Sequence, residues 1–222
     1  MIKLTKLDKP TILIKHAKKW ETKLLENISK GKSSSAYLLT RYSDPEIKQK
    51  IIKETSGKCA YCESKLLHTQ HGDIEHIHPK SIYKSKRYEW DNLTLACTIC
   101  NQNKSNKDPN LNSILNPYID EPEKSIIFAG AIAHHSDIKG SCTITYLDLN
   151  RTELIEERNE RFKDIETILN KLNDIRLPLD IRQVIYQDLI SIEAHNNKKY
   201  TSMVRSAIRC FDIAIPSEVK VA

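Results

Sequence analysis

Two short cysteine pairs, "CAYC" at 59–62 and "CTIC" at 97–100, constrain this chain more than any other stretch. Each pair can present two sulfurs to one ion from a short loop, and zinc takes four thiolates tetrahedrally. Cys59, Cys62, Cys97 and Cys100 are therefore expected to form a closed structural zinc site. Four protein ligands leave no open position, so any chemistry has to come from other residues. The plainer alternative, four buried thiols, does not explain the repeated spacing. The 34 residues between the pairs exceed the usual ribbon spacing, so an insert separates the two knuckles. That insert contains "DIEHIHPK", residues 73–80. Cys142 and Cys210 stand alone and read as core cysteines.

A chain of 222 residues suggests one domain of good size or a compact core with an appendage. It is long enough to bury a core without disulfide staples. The N-terminal "MIKLTKLDKPTILIKHAKKW" has no apolar run fit for a signal peptide or membrane span, so a cytoplasmic protein with no membrane association is expected. In a reducing compartment the six cysteines are thiols or metal ligands. The net charge of +6 permits a phosphate-rich partner without demanding one. From His76 to Lys107 six basic residues stand against two acidic ones, which is either a nucleic-acid contact or simply a solvated face.

Periodicity divides the chain into three parts: 1–57, an N-terminal arm and helices; 58–149, the zinc-bound unit with following strands; and 150–222, a helical unit. The class is α+β. Residues 1–10 alternate like an extended arm, and 11–30 carry apolar residues at helical spacing with Gly31 as the stop. "KSSSAY" reads as a loop. A second helix starts at Asp44-Pro45 and ends before Gly57. "SIIFAGAIAHH" and "CTITYLDL" are β-branched and apolar, which predicts two strands. From Asn150 the pattern is amphipathic and helical, with Asn150 and Glu153 at capping-box spacing, and two further helices follow. Trp90 is expected to pack the small core around the insert. His68, His71, His134, His135 and His195 read as surface polarity.

Between the knuckles and just after them lie Glu75, His76, His78, Lys80, Asn92, Asn101 and Lys104. Magnesium prefers oxygen ligands and keeps several waters, so one carboxylate and one amide oxygen would serve it. A neutral histidine nearby can take a proton from water. Together these are the minimum machinery for phosphodiester hydrolysis with one metal. Alternation leaves open which histidine acts. In a regular strand His76 and His78 share a face and Glu75 takes the other, so the run is expected to break if Glu75 and His76 share a site.

The block "CAYC … IEHIHPKS … WDNLTLACTICNQNK" resembles the HNH endonucleases, with their ββα-metal fold. The opening "MIKLTK", "LNPYID", Gly130 and "TITYLDLNR" extend the resemblance to the HNH nucleases of retron and Septu anti-phage systems, which act beside an ATPase subunit. The resemblance spans roughly 1–155. It implies that Glu75 binds a catalytic Mg²⁺ or other divalent metal and that His76 is the general base. It makes Asn92 the asparagine that holds the base in place. Asn101 becomes the second metal ligand, where many members have histidine. Lys80 and Lys104 would touch nucleic acid, and the products would carry 5′-phosphate and 3′-hydroxyl ends. DNA is the expected substrate, since the chain shows no aromatic platform for stacking RNA bases. A tRNA-cleaving effector, or a non-catalytic zinc module that binds nucleic acid or docks a partner, is the alternative.

Overall fold

The N-terminal arm tucks its apolar side chains inward: Met1, Ile2 and Leu4 are buried, and the Leu4 N–H donates to the Pro117 carbonyl at 2.8 Å. The computed structural model describes residues 1–66 and 71–220. Helix α1, Thr11–Ser29, buries Leu13 and Leu24 and stops at Gly31, whose φ of +63° suits glycine. The "KSSSAY" stretch is shorter as a loop than the sequence suggests. Ser35 caps helix α2, Ala36–Leu39, by accepting from the Leu38 N–H. Helix α3, Pro45–Glu54, is capped by Asp44 with Pro45 at its first position, as expected.

The first knuckle follows. Strand β1, Asp73–His76, then pairs antiparallel with β2, Leu93–Ala96, with Asp73 opposite Ala96 and His76 opposite Leu93. All four β2 residues are buried, so the strand is packed on both faces. Helix α4, Thr98–Lys104, begins directly at the second knuckle and completes a β-β-α unit. Short helices α5, Pro109–Asn112, and α6, Pro122–Ser125, lead into strands β3, Ile126–Ala129, and β4, Ile132–His135. These form a hairpin across Gly130-Ala131, where Gly130 has φ +59°.

"CTITYLDL" is a helix, not a strand. Helix α7, Ile138–Leu147, buries Gly140, Thr143 and Leu147, and it is capped by Asp137 accepting from the Gly140 N–H at 2.7 Å. Cap and three-to-four spacing overrode β-branched propensity, which is a weak prior beside packing. Asn150 does not cap helix α8, Thr152–Leu172. Its amide instead pairs with both backbone groups of Ala133, accepting at 2.9 Å and donating at 2.8 Å, and so stands in for a neighbouring strand along β4. Helices α9, Leu179–Asp188, and α10, Thr201–Phe211, follow the helical pattern, with a π-helical turn at Leu189–Glu193 between them. Cys142 is half-buried and Cys210 exposed, so neither is a core cysteine.

One hydrophobic cluster runs from Met1 through Leu93 and Leu95 to Val219, so the helices at both ends share a core with the β-β-α unit. Trp90 lies in it, with its indole N–H on the Leu7 carbonyl at 2.7 Å. His134, His135 and His195 are exposed, as read, while His68 falls outside the described residues. Gly140 is where α7 meets the chain before β3: a Cβ there would overlap the Ser125 carbonyl oxygen. Gly140→Ala should cost about 1–3 kcal/mol as an overpacked contact. The check is a lower thermal midpoint, with zinc content unchanged.

Candidate active site

The four sulfurs of Cys59, Cys62, Cys97 and Cys100 lie within 4.8 Å of one another, and all four residues are buried. A tetrahedron with Zn–S near 2.3 Å has sulfurs about 3.8 Å apart. Cys62 and Cys97 stand 3.9 Å apart. Four sulfurs this close can all be thiolates only around a cation, so the donor set fits zinc. Local folding prepares the cluster. In the first knuckle the Cys59 N–H donates to Ser64 and the Ala60 N–H to Leu95 of β2. In the second, Cys97 caps α4, its sulfur accepting from the Cys100 N–H at 3.3 Å. Arg151 brings its guanidinium to 3.9 Å from the Cys100 sulfur. Burial opposes that charge, but the sulfurs of Cys100, Cys62 and Cys97 outweigh it and raise the Arg151 pKa.

The cluster positions α4 against β1. Asn101, one residue past the last cysteine, lines a cleft of about 180 Å³ together with Glu75, His76, Pro79, Lys80 and Asn106. Strand β1 stays regular through His76, contrary to the expected break, yet Glu75 and His76 both reach this cleft. The cleft is lined by the last three residues of β1, Ile74, Glu75 and His76. One carboxylate and one amide oxygen on its walls fit a divalent cation that prefers oxygen.

His76 is 3% exposed, and its Nε2 lies 3.0 Å from the Arg87 carbonyl. A carbonyl only accepts, so Nε2 carries the proton and Nδ1 keeps the lone pair. Burial, with Lys80, Arg87 and Lys104 adding repulsion, pulls the imidazole pKa down to about 3 against the Arg87 hydrogen bond. The ring is therefore neutral in ordinary buffers. Tyr42 packs edge-on against it at 4.6 Å, and the Tyr42 hydroxyl accepts from Lys80 at 2.7 Å.

Asn92 is 2% exposed and ties the β1–β2 loop to itself. It accepts from the His78 N–H at 2.7 Å and donates to the carbonyls of His78 and Lys86, both at 3.0 Å. Lys104 corrects the sequence reading. Its ammonium is buried, 2.7 Å from Glu75 Oε1 and 2.9 Å from the His76 carbonyl, so it faces the site from inside and not a nucleic-acid surface. Burial raises the Glu75 pKa while Lys104 opposes the rise. His78 is turned away by Asp108, with Nδ1 and Oδ2 2.7 Å apart.

Sequence reasoning missed three contributors. Asp73 accepts from the Asn101 amide at 2.9 Å. Asp73 stands two residues before Glu75, so strand alternation would have put both on one face. Asp108 caps α5, and its signal was the Asp-Pro-Asn run. The Arg87 carbonyl had no signal, because backbone acceptors leave none in a sequence.

The β-β-α unit framed by the four-cysteine cluster, with Glu-His on its first strand and Asn on its helix, lies in residues 59–107, which match the HNH endonuclease family. Over 216 residues the chain is 30% identical to Septu protein PtuB of Bacillus mycoides (strain KBAB4), with 73% of each chain covered. Over 220 residues it is 27% identical to Septu protein PtuB of Bacillus thuringiensis, covering 94% of this chain and 82% of that protein. The chain belongs to the Septu PtuB family. A further match, 23% identical over 182 residues, covers 66% of this chain and 25% of Septu protein PtuA of Bacillus mycoides (strain KBAB4).

Cys97→Ser removes both a thiolate and the α4 cap. Bound zinc measured by atomic absorption should fall well below one ion per four-cysteine cluster. The stability loss should exceed the roughly 1 kcal/mol typical of point substitutions.

Proposed function

We propose that the chain hydrolyses phosphodiester bonds of duplex DNA, with His76 as general base, as the nuclease subunit of an anti-phage system that includes an ATPase. The observation that carries the chemistry is the buried neutral imidazole, held at Nε2 by the Arg87 carbonyl so that the lone pair is on Nδ1, in the same cleft as Glu75 and Asn101. A magnesium ion held by Glu75 and Asn101 would neutralise phosphate charge and stabilise the leaving oxygen.

His76 Nδ1 takes the proton from a water facing the phosphorus, and the negative charge of a bound phosphate raises the basicity that burial and Lys80, Arg87 and Lys104 depress in the free protein. Asn92 keeps the loop from folding differently, so the Arg87 carbonyl stays on the imidazole. Lys80, at the cleft wall and steadied by Tyr42, faces the phosphate of the substrate. Lys104 balances the Glu75 charge from behind and holds the His76 carbonyl, which fixes the strand end.

The Septu names of the relatives support the defence role. The ATPase is inferred because this sequence has no phosphate-loop motif of its own. A binding module would have no use for an acid, a base and an amide converging on one cleft.

His76→Ala, folded and zinc-loaded, should lose at least about 100-fold in the rate of plasmid cleavage with Mg²⁺, assayed alone and with the ATPase subunit. Cleavage at the parent rate would remove His76 as the base. His78→Ala should lose much less, since its ring is committed to Asp108. Running the parent on tRNA under the same conditions decides between DNA and RNA.

A further inference from the structure

We infer that Asp73 is a positioning residue that orients the Asn101 amide. An asparagine side chain has nearly the same shape with its oxygen and nitrogen exchanged. Packing alone therefore cannot decide which end meets a cation, although one end is a ligand and the other repels it. In this chain a hydrogen bond decides. Asn101 Nδ2 donates to Asp73 Oδ2 at 2.9 Å. An ionised carboxylate only accepts, so the NH₂ end must face Asp73 and the carbonyl oxygen turns the other way. Asn101, Glu75 and His76 line the cleft and Asp73 does not, so the carbonyl oxygen is the end of the amide left for the cleft.

The inference rests on the reading of Asn101 as a ligand and adds what makes a neutral amide serviceable in that place. Asp73 sits on β1, opposite Ala96 of β2, while Asn101 sits one turn into α4 beside the zinc cluster. The hydrogen bond thus joins the strand carrying Glu75 and His76 to the helix anchored by the metal. Lys48 of α3 reinforces it from outside. Its ammonium donates to the Gly72 carbonyl and is attracted to the Asp73 charge. Groups that orient a ligand in this way commonly set metal affinity by about 10–100-fold.

The test measures Mn²⁺ binding to the zinc-loaded chain by calorimetry, without reference to cleavage. Asp73→Ala should weaken Mn²⁺ at least about tenfold with zinc content unchanged. Asp73→Asn keeps an oxygen that can accept from the Asn101 amide, so it should bind Mn²⁺ nearly as the parent does. Parent-like binding by Asp73→Ala would overturn the inference. So would equal weakening by both variants, which would mean that the Asp73 charge itself holds the cation. Should Asp73→Ala lose zinc, the isosteric Asp73→Asn decides alone: parent-like affinity supports positioning, and a tenfold loss overturns it. Asn101→Ala and Glu75→Gln serve as references. If both bind Mn²⁺ like the parent, the ligand assignment beneath the inference is what fails.

Discussion

Four thiolates packed within one tetrahedron would repel one another unless a cation stood between them, and the four-cysteine cluster that imposes this constraint frames the β-β-α unit. The cysteines come from two loops far apart in sequence. One loop closes onto β2, and the other is the first turn of α4. An ion bound there would convert two short loops into a single joint, so that the long insert between them starts and ends at fixed points. A two-stranded sheet of four-residue strands would be marginal by itself. Flanked by the cysteine cluster and covered by helices from each terminus, it buries all of β2 and the last two residues of β1. The sulfurs also draw in Arg151 just before α8, so the C-terminal helices are held by charge as well as by apolar contact.

The second balance is between Glu75 and Lys104. Each would be costly to bury alone, and removing one partner of such a pair costs about 3–5 kcal/mol. Lys104 lies against a carboxylate whose pKa burial raises, beside an imidazole that burial keeps neutral. Burial thus pushes both Glu75 and His76 toward their neutral forms, and the Lys104 ammonium works against that push on Glu75. Desolvation acts on both, and only Glu75 has a directly bonded cation to counter it.

Much of this was legible in the chain. Cysteine spacing marked the joint, because a metal demands fixed ligand geometry. The block around Glu75 and His76 stood out because acid, histidine and amide rarely converge between two knuckles. Helices α1, α3 and α8 were readable from apolar spacing and punctuating residues. What escaped reading were features decided by tertiary partners. The stretch at 142–149 looks β-branched, but Asp137 and the packing of Gly140 make it helical. Asn150 has a cap's chemistry but found a strand to pair with instead. Lys104 looked like a surface cation, and only the fold shows the carboxylate waiting for it. A sequence displays which groups could bond, while the choice among partners is made by distance.

The carbonyl that fixes His76 belongs to Arg87, in a loop whose other contacts reach far from the β-β-α unit. The Arg87 guanidinium and the Tyr88 hydroxyl both end on carbonyls at the C-terminal end of α2, Leu39 and Leu38. The Trp90 indole is fastened to the Leu7 carbonyl. The protonation site of one imidazole is thereby governed from the first forty residues. Trimming the protein to residues 59–107 would preserve every side chain of the cleft and still remove the contacts that hold the Arg87 loop, and so its carbonyl, against His76 Nε2.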